Sequence, residues 1–81
     1  MQIKILGPGC ARCNQLESLT KEALKGLDLD VNIEKISDVE EILKYPIMGT
    51  PALIINKKIK VAGRVPNKEQ IKKWISEERD E

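Results

Sequence analysis

Cys10-Ala11-Arg12-Cys13 sets two thiols two residues apart in a chain with no other cysteine and no histidine. Such a pair can close into a disulfide, reopen by exchange with another thiol, or hold a soft metal ion. Exchange needs the thiolate, and an unperturbed cysteine of pKa ~8.5 is only about 3% ionised at pH 7. The start of a helix changes that balance. Its unpaired N–H groups and partial positive charge stabilise an anion by roughly 0.3–1 kcal/mol, and by up to ~2 kcal/mol when partly buried. Cys10, at the N-cap or first turn of a helix-forming stretch, is the sulfur placed to benefit, and Arg12 adds a neighbouring positive charge. Cys10 is therefore expected to be the exposed nucleophile and Cys13, one turn further in, the buried resolving thiol.

Side chains three apart on a regular helix have Cβ atoms ~5–6 Å apart, whereas a disulfide needs about 3.5–4.5 Å. The two cysteines can join only if Cys10 sits at the non-helical edge, which the preceding Gly7-Pro8-Gly9 turn permits. A purely structural staple is the bland alternative. It would tie together nothing distant and, closing so short a loop, would stabilise by only about 2 kcal/mol.

The elements that must position these thiols follow from periodicity. Gln2–Leu6 reads as a strand and residues 11–25 as a helix, with Leu16, Leu19, Ala23 and Leu27 on one face and Gly26 as its stop. Leu29–Ile36 alternates apolar and polar residues, which predicts a second strand. Ser37 to Glu40 forms a capping box for a short helix reaching Lys44. After a loop containing Pro46 and Gly49, Ala52–Ile55 is an apolar strand, Asn56-Lys57-Lys58 a hairpin turn and Ile59–Ala62 a fourth strand. Asn67 with Gln70 caps a last helix whose buried face is Ile71, Trp74 and Ile75, and the acidic run Glu77–Glu81 is expected to fray. Lys57, Lys58 and Lys60 are expected to be solvated and to discourage edge pairing. The order is β-α-β-α-β-β-α. It predicts an α/β fold in one domain spanning residues 1–81, a four-stranded mixed sheet with helices on both faces.

Composition narrows the function. The 81 residues carry 14 basic and 13 acidic side chains, a net charge of +1, which gives no electrostatic case for nucleic acid or a membrane surface. The core must be aliphatic, because the chain has one Trp, one Tyr and no Phe. No apolar run approaches the ~18 residues of a membrane span. The apolar start is too short, before Gly7-Pro8, for a secretory signal. The expectation is a cytoplasmic monomer, a setting in which a CxxC pair is redox-active or metal-binding.

This element order, with CxxC at the first helix start and Thr50-Pro51 entering an apolar strand, resembles the thioredoxin/glutaredoxin superfamily. More narrowly, it is similar to the small redox-active disulfide proteins with a thioredoxin-like fold. Gly9-Cys10-Ala11-Arg12-Cys13, Met48-Gly49-Thr50-Pro51 and Gly63-Arg64-Val65 carry the resemblance. It implies a protein-disulfide oxidoreductase and electron carrier that cycles a Cys10–Cys13 disulfide, the disulfide being its only cofactor. Its partners would be protein disulfides and an upstream disulfide reductase. It also implies a cis Thr50-Pro51 bond facing the disulfide, with the Thr50 backbone pairing a partner chain in strand fashion. Gly9, Ala11, Arg12, Thr50, Pro51 and Gly63 are then the residues that shape the substrate site, Gly63 either admitting a partner backbone or supplying a positive φ.

The chain departs from the family pattern at several places. Gly9 stands where thioredoxins usually have an aromatic residue, Ala11-Arg12 where they have Gly-Pro, and Lys4 where they have a buried acid. Ala62-Gly63-Arg64 is an incomplete form of the glutathione-holding segment of glutaredoxins. The competing reading is a copper-type metal carrier or sensor using the CxxC. Two soft thiolates suffice for copper(I), whereas zinc normally takes four ligands. Copper chaperones with a similarly placed CxxC end in a strand, whereas this chain ends in a helical stretch.

Overall fold

The computed structural model describes residues 1–8, 11–47 and 49–79. Its elements run β1 (Ile3–Leu6), α1 (Ala11–Gly26), β2 (Ile33–Ile36), α2 (Val39–Ile42), β3 (Ala52–Ile55), β4 (Lys58–Ala62) and α3 (Lys68–Arg79). The sheet order is β2-β1-β3-β4, with β1 parallel to β2 and antiparallel to β3, and β3 antiparallel to β4. This is the mixed four-stranded sheet that the order of elements implies. No helix among the described residues is long and apolar enough to cross a membrane.

Strand alternation divides the core in two. Ile3 pairs with Ile55 and Ile5 with Leu53. These residues face α1 and α3, packing with Leu16, Ala23, Leu24, Ile71 and Ile75. Leu6, Ala52 and Ile54 face the other way, against Ile42 of α2 and the partly buried Ile36, Tyr45 and Ile47. The aliphatic core that composition demanded is thus split by the sheet into a large half under two long helices and a smaller half under one short one. Inside α1 the buried Thr20 hydroxyl donates to the Leu16 carbonyl at 2.7 Å, so its polar group is satisfied without leaving the helix.

The second strand is half the length its alternation implies. Ile3 pairs with Ile33, and upstream of Ile3 the backbone has another partner. Gln2 N–H donates to Asn56 Oδ1 at 2.9 Å, and Asn56 N–H donates to the Gln2 carbonyl at 2.8 Å. The register with β2 sets Asn32 and Val31 opposite Gln2 and Met1, which lie outside β1, so this stretch has no strand to pair with, although Leu29 and Val31 still pack on the core. The stop of α1 also differs in detail. The left-handed residue is Asp28 (φ 57°), and Leu29 N–H returns to the Leu24 carbonyl at 2.9 Å. Gly26 is the last helical residue, and a β-carbon there would lie 2.8 Å from Lys72 Cε of α3.

The N-cap of α2 is Asp38, not Ser37. Its carboxylate accepts from Glu40 N–H at 3.0 Å, and the helix ends at Ile42 rather than Lys44. The cap of α3 is as expected, with Asn67 Oδ1 accepting from Gln70 N–H at 2.8 Å. Ile71 and Ile75 are buried and Trp74 packs at the edge of the core.

The β3–β4 hairpin turns on Asn56 and Lys57, both at positive φ (50° and 69°), the conformation of a two-residue turn that suits the twist of paired strands. Pairing then slips. Ile54 faces Ile59 but Leu53 faces Val61, leaving Lys60 as a bulge. The slip sends Val61 into the core under the helices and Ile59 to the opposite face. Lys58 and Lys60 turn toward α3 and both meet Glu78 Oε2, at 3.3 and 2.9 Å. Glu78 is only 6% exposed. Lys60, its side chain 15% exposed, is not the solvated edge residue expected, whereas Lys58 stays exposed as expected, and Glu77 and Glu78 belong to the helix rather than to a frayed tail.

Candidate active site

Helix α1 begins at Ala11. Two of the expected site residues, Gly9 and Cys10, lie outside the described residues. Ala11 and Arg12 are exposed in the first turn and Cys13 is 1% exposed. No acidic residue occupies that turn, so the partial positive charge of the helix start is not neutralised from within the helix, and Arg12 reinforces it. An anion forming at this end is favoured.

Gly7 sets the depth of Cys13. Its N–H donates to the Ile36 carbonyl at 2.9 Å, which holds the end of β1 to β2. A β-carbon on Gly7 would overlap Cys13 Sγ, come within 3.2 Å of Cys13 Cβ and lie 3.9 Å from Pro51 Cα. Gly7 thus sits against the buried sulfur, with Pro51 at ordinary contact distance, and only a residue without a side chain leaves room for Cys13. The sequence marked Gly7 as part of a turn, and gave no sign that the sulfur would be stacked on it.

The Thr50–Pro51 peptide bond is cis, Pro51 is buried and Thr50 half-buried. The Pro51 carbonyl accepts from Gly63 N–H at 2.9 Å. Gly63 has φ 84° and is exposed, with no atom of the described residues within 4 Å of where its β-carbon would stand. The positive φ expected of Gly63 is present. A β-carbon on Gly49 would lie 3.4 Å from Gly63 Cα, so these two glycines let the loops before β3 and after β4 meet. Gly49 did not stand out in the sequence as a site residue.

Beside this loop is a cavity of about 280 Å³ lined by Ile42, Leu43, Ile47, Gly49 and Thr50, with Tyr45 at its edge. Leu43 is 76% exposed. Its walls adjoin the half-buried Thr50. Lys4 is not at this site. It lies on the sheet face away from α1, with its Nζ 3.4 Å from the Tyr45 hydroxyl. No group of three potential metal-ligating side chains occurs among the described residues.

The arrangement can be set beside known proteins. Residues 1–76 match the family model described as Thioredoxin domain. The chain is 42% identical over 76 residues to a thioredoxin of Methanothermobacter thermautotrophicus, covering 94% of this chain and 99% of that one. It is 37% identical over 73 residues to a thioredoxin of Methanocaldococcus jannaschii, covering 90% of this chain and 84% of that one. With the buried Cys13, Gly7 and Pro51 gathered at one end of a β2-β1-β3-β4 sheet, the chain belongs to the thioredoxin family.

Proposed function

We propose that this protein is a thiol–disulfide oxidoreductase that reduces protein disulfides by cycling Cys10 and Cys13 between dithiol and disulfide. Family membership supports the class of reaction. The observation that carries the assignment of roles is the burial of Cys13 against Gly7 beside Pro51, which suits a resolving sulfur reached only from within the site.

In this mechanism the Cys10 thiolate attacks one sulfur of the partner's disulfide. The partner's S–S bond breaks, its second sulfur leaves as a thiolate and takes up a proton, and Cys10 is left in a mixed disulfide. Cys13 then loses its proton and attacks Cys10 Sγ. The partner departs as a dithiol and the Cys10–Cys13 disulfide remains. Two electrons and two protons have passed to the partner, and an upstream disulfide reductase returns them. The unneutralised start of α1 and Arg12 favour the thiolate of Cys10 at the first step. The Thr50 backbone, with the cavity bordered by Leu43 and Ile47, holds the partner chain alongside.

The test is reduction of a disulfide-linked protein by dithiothreitol with and without catalytic amounts of this chain. Acceleration by the wild type, lost in Cys10→Ser, is the expected result. A wild type that accelerates reduction with neither a dithiol nor a disulfide reductase as donor overturns the proposal.

A further inference from the structure

On the sheet face away from α1, Lys4 is in an unusual position for a cation. It lies on β1, a central strand, and alternation directs it to the same side as Leu6 and Ile54, both buried. A half-buried ammonium on an apolar face loses hydration that its partners must replace. Among the described residues no carboxylate forms an ion pair with Lys4, not even Glu34, its register neighbour on β2. Its contacts are the Tyr45 hydroxyl, at a long 3.4 Å, and the Tyr45 ring, 6.0 Å from the nitrogen to the centroid. Both are at the outer limit of useful range.

Lys4 borders a cavity of about 170 Å³ lined also by Gln2, Tyr45, Pro46, Ile54, Lys57 and Ile59. The β4 bulge brings Ile59 to this face, where it remains 39% exposed. Lys57, held on the hairpin tip, is a second ammonium with no carboxylate partner among the described residues. The cavity thus combines aliphatic walls, one aromatic residue with its hydroxyl, the Gln2 amide and two lysines. Its size is that of a benzene-binding cavity, on the order of 150 Å³.

From this we infer that the β1-β3-β4 face holds a second binding site, separate from the cysteine pair, for a compact apolar monocarboxylate. The carboxylate lies between Lys4, Lys57 and the Tyr45 hydroxyl, and the apolar body rests against Ile54, Ile59 and Pro46. A ligand of this size binds with a dissociation constant on the order of 1 mM.

Benzoate is the probe, followed by amide chemical shifts of the full chain. Benzoate is expected to move the Lys4, Tyr45, Ile54 and Ile59 resonances saturably. Benzyl alcohol, which lacks the charge, and acetate, which lacks the apolar body, are each expected to bind at least about tenfold more weakly. Lys4→Met should weaken benzoate about tenfold with the remaining spectrum unchanged, and Lys57→Ala, on an exposed side chain, should weaken it less. Shifts that never saturate, equal binding of benzyl alcohol, or benzoate affinity unchanged in both variants would each overturn the inference. So would the same resonances moving with protein concentration alone, which would mean that a second copy supplies the occupant.

Discussion

Gly7 and Cys13 are stacked so closely that the hydrogen on the Gly7 α-carbon is all the space between strand end and sulfur allows. Gly7→Ala would force α1 away from the sheet or the sulfur out of its place. Overpacking of this kind costs about 1–3 kcal/mol. Urea denaturation should show that loss, and the reduction rate should fall with it. A fully stable, fully active Gly7→Ala variant would mean that α1 slides without consequence.

The two sulfurs are predicted to behave unequally. Cys13→Ser should accumulate mixed disulfides between Cys10 and partner proteins, visible on non-reducing gels, because the buried sulfur that would release them is gone. Cys10→Ser should retain none. Trapping through Cys13 alone would reverse the roles.

Gly63→Ala separates backbone strain from partner access. At φ 84° the added methyl costs about 1 kcal/mol of stability, and no described atom stands in its way. If a partner chain passes beside Gly63, reduction of a protein disulfide should slow several-fold more than reduction of a small aromatic disulfide. Equal effects on both substrates would confine Gly63 to a conformational role.

Glu78 ties α3 to the edge strand, and its carboxylate pKa lies below the ordinary 4.5, chiefly through the hydrogen bond from Lys60, with Lys58 adding to it and burial opposing. A depressed carboxylate pKa means stability present above pH 4.5 and lost as pH falls through the lower, folded-state value. Glu78→Gln should therefore be less stable than wild type at pH 7, with the difference shrinking in acid below pH 4.5. Denaturation curves from pH 2.5 to pH 7 measure this. A difference that does not change with pH would show that the pair contributes through shape alone.

The sequence carried the element order, the α3 cap and the cysteine pair because each rests on local chemistry, such as Asn67 reaching Gln70 or apolar residues recurring along α1. What escaped it depends on residues far apart in the chain. Leu29–Val31 alternates like a strand but lacks a partner, since the register Ile3 with Ile33 places it beyond the paired part of β1. Asp38 outcompetes Ser37 as a cap by a shift of one residue, a choice that a capping pattern containing both cannot decide. Lys60 and Glu78 looked like ordinary surface charges because nothing in β4 alone signals a bulge, nor anything in α3 alone a buried carboxylate. Likewise the need for glycine at position 7 arises only when Cys13 of α1 packs onto it.

The unopposed Lys60 makes β4 sensitive to length more than to composition. With that residue deleted, Ile59 and Val61 become neighbours, and ordinary alternation keeps Ile59 against Ile54 and Val61 against Leu53, so the pairing survives while the contact of Lys60 with Glu78 is lost. Conservative replacements along this strand should be absorbed, whereas a single-residue insertion, or a deletion other than that of Lys60, between Asn56 and Val61 would turn Ile59 or Val61 to the wrong side of the sheet.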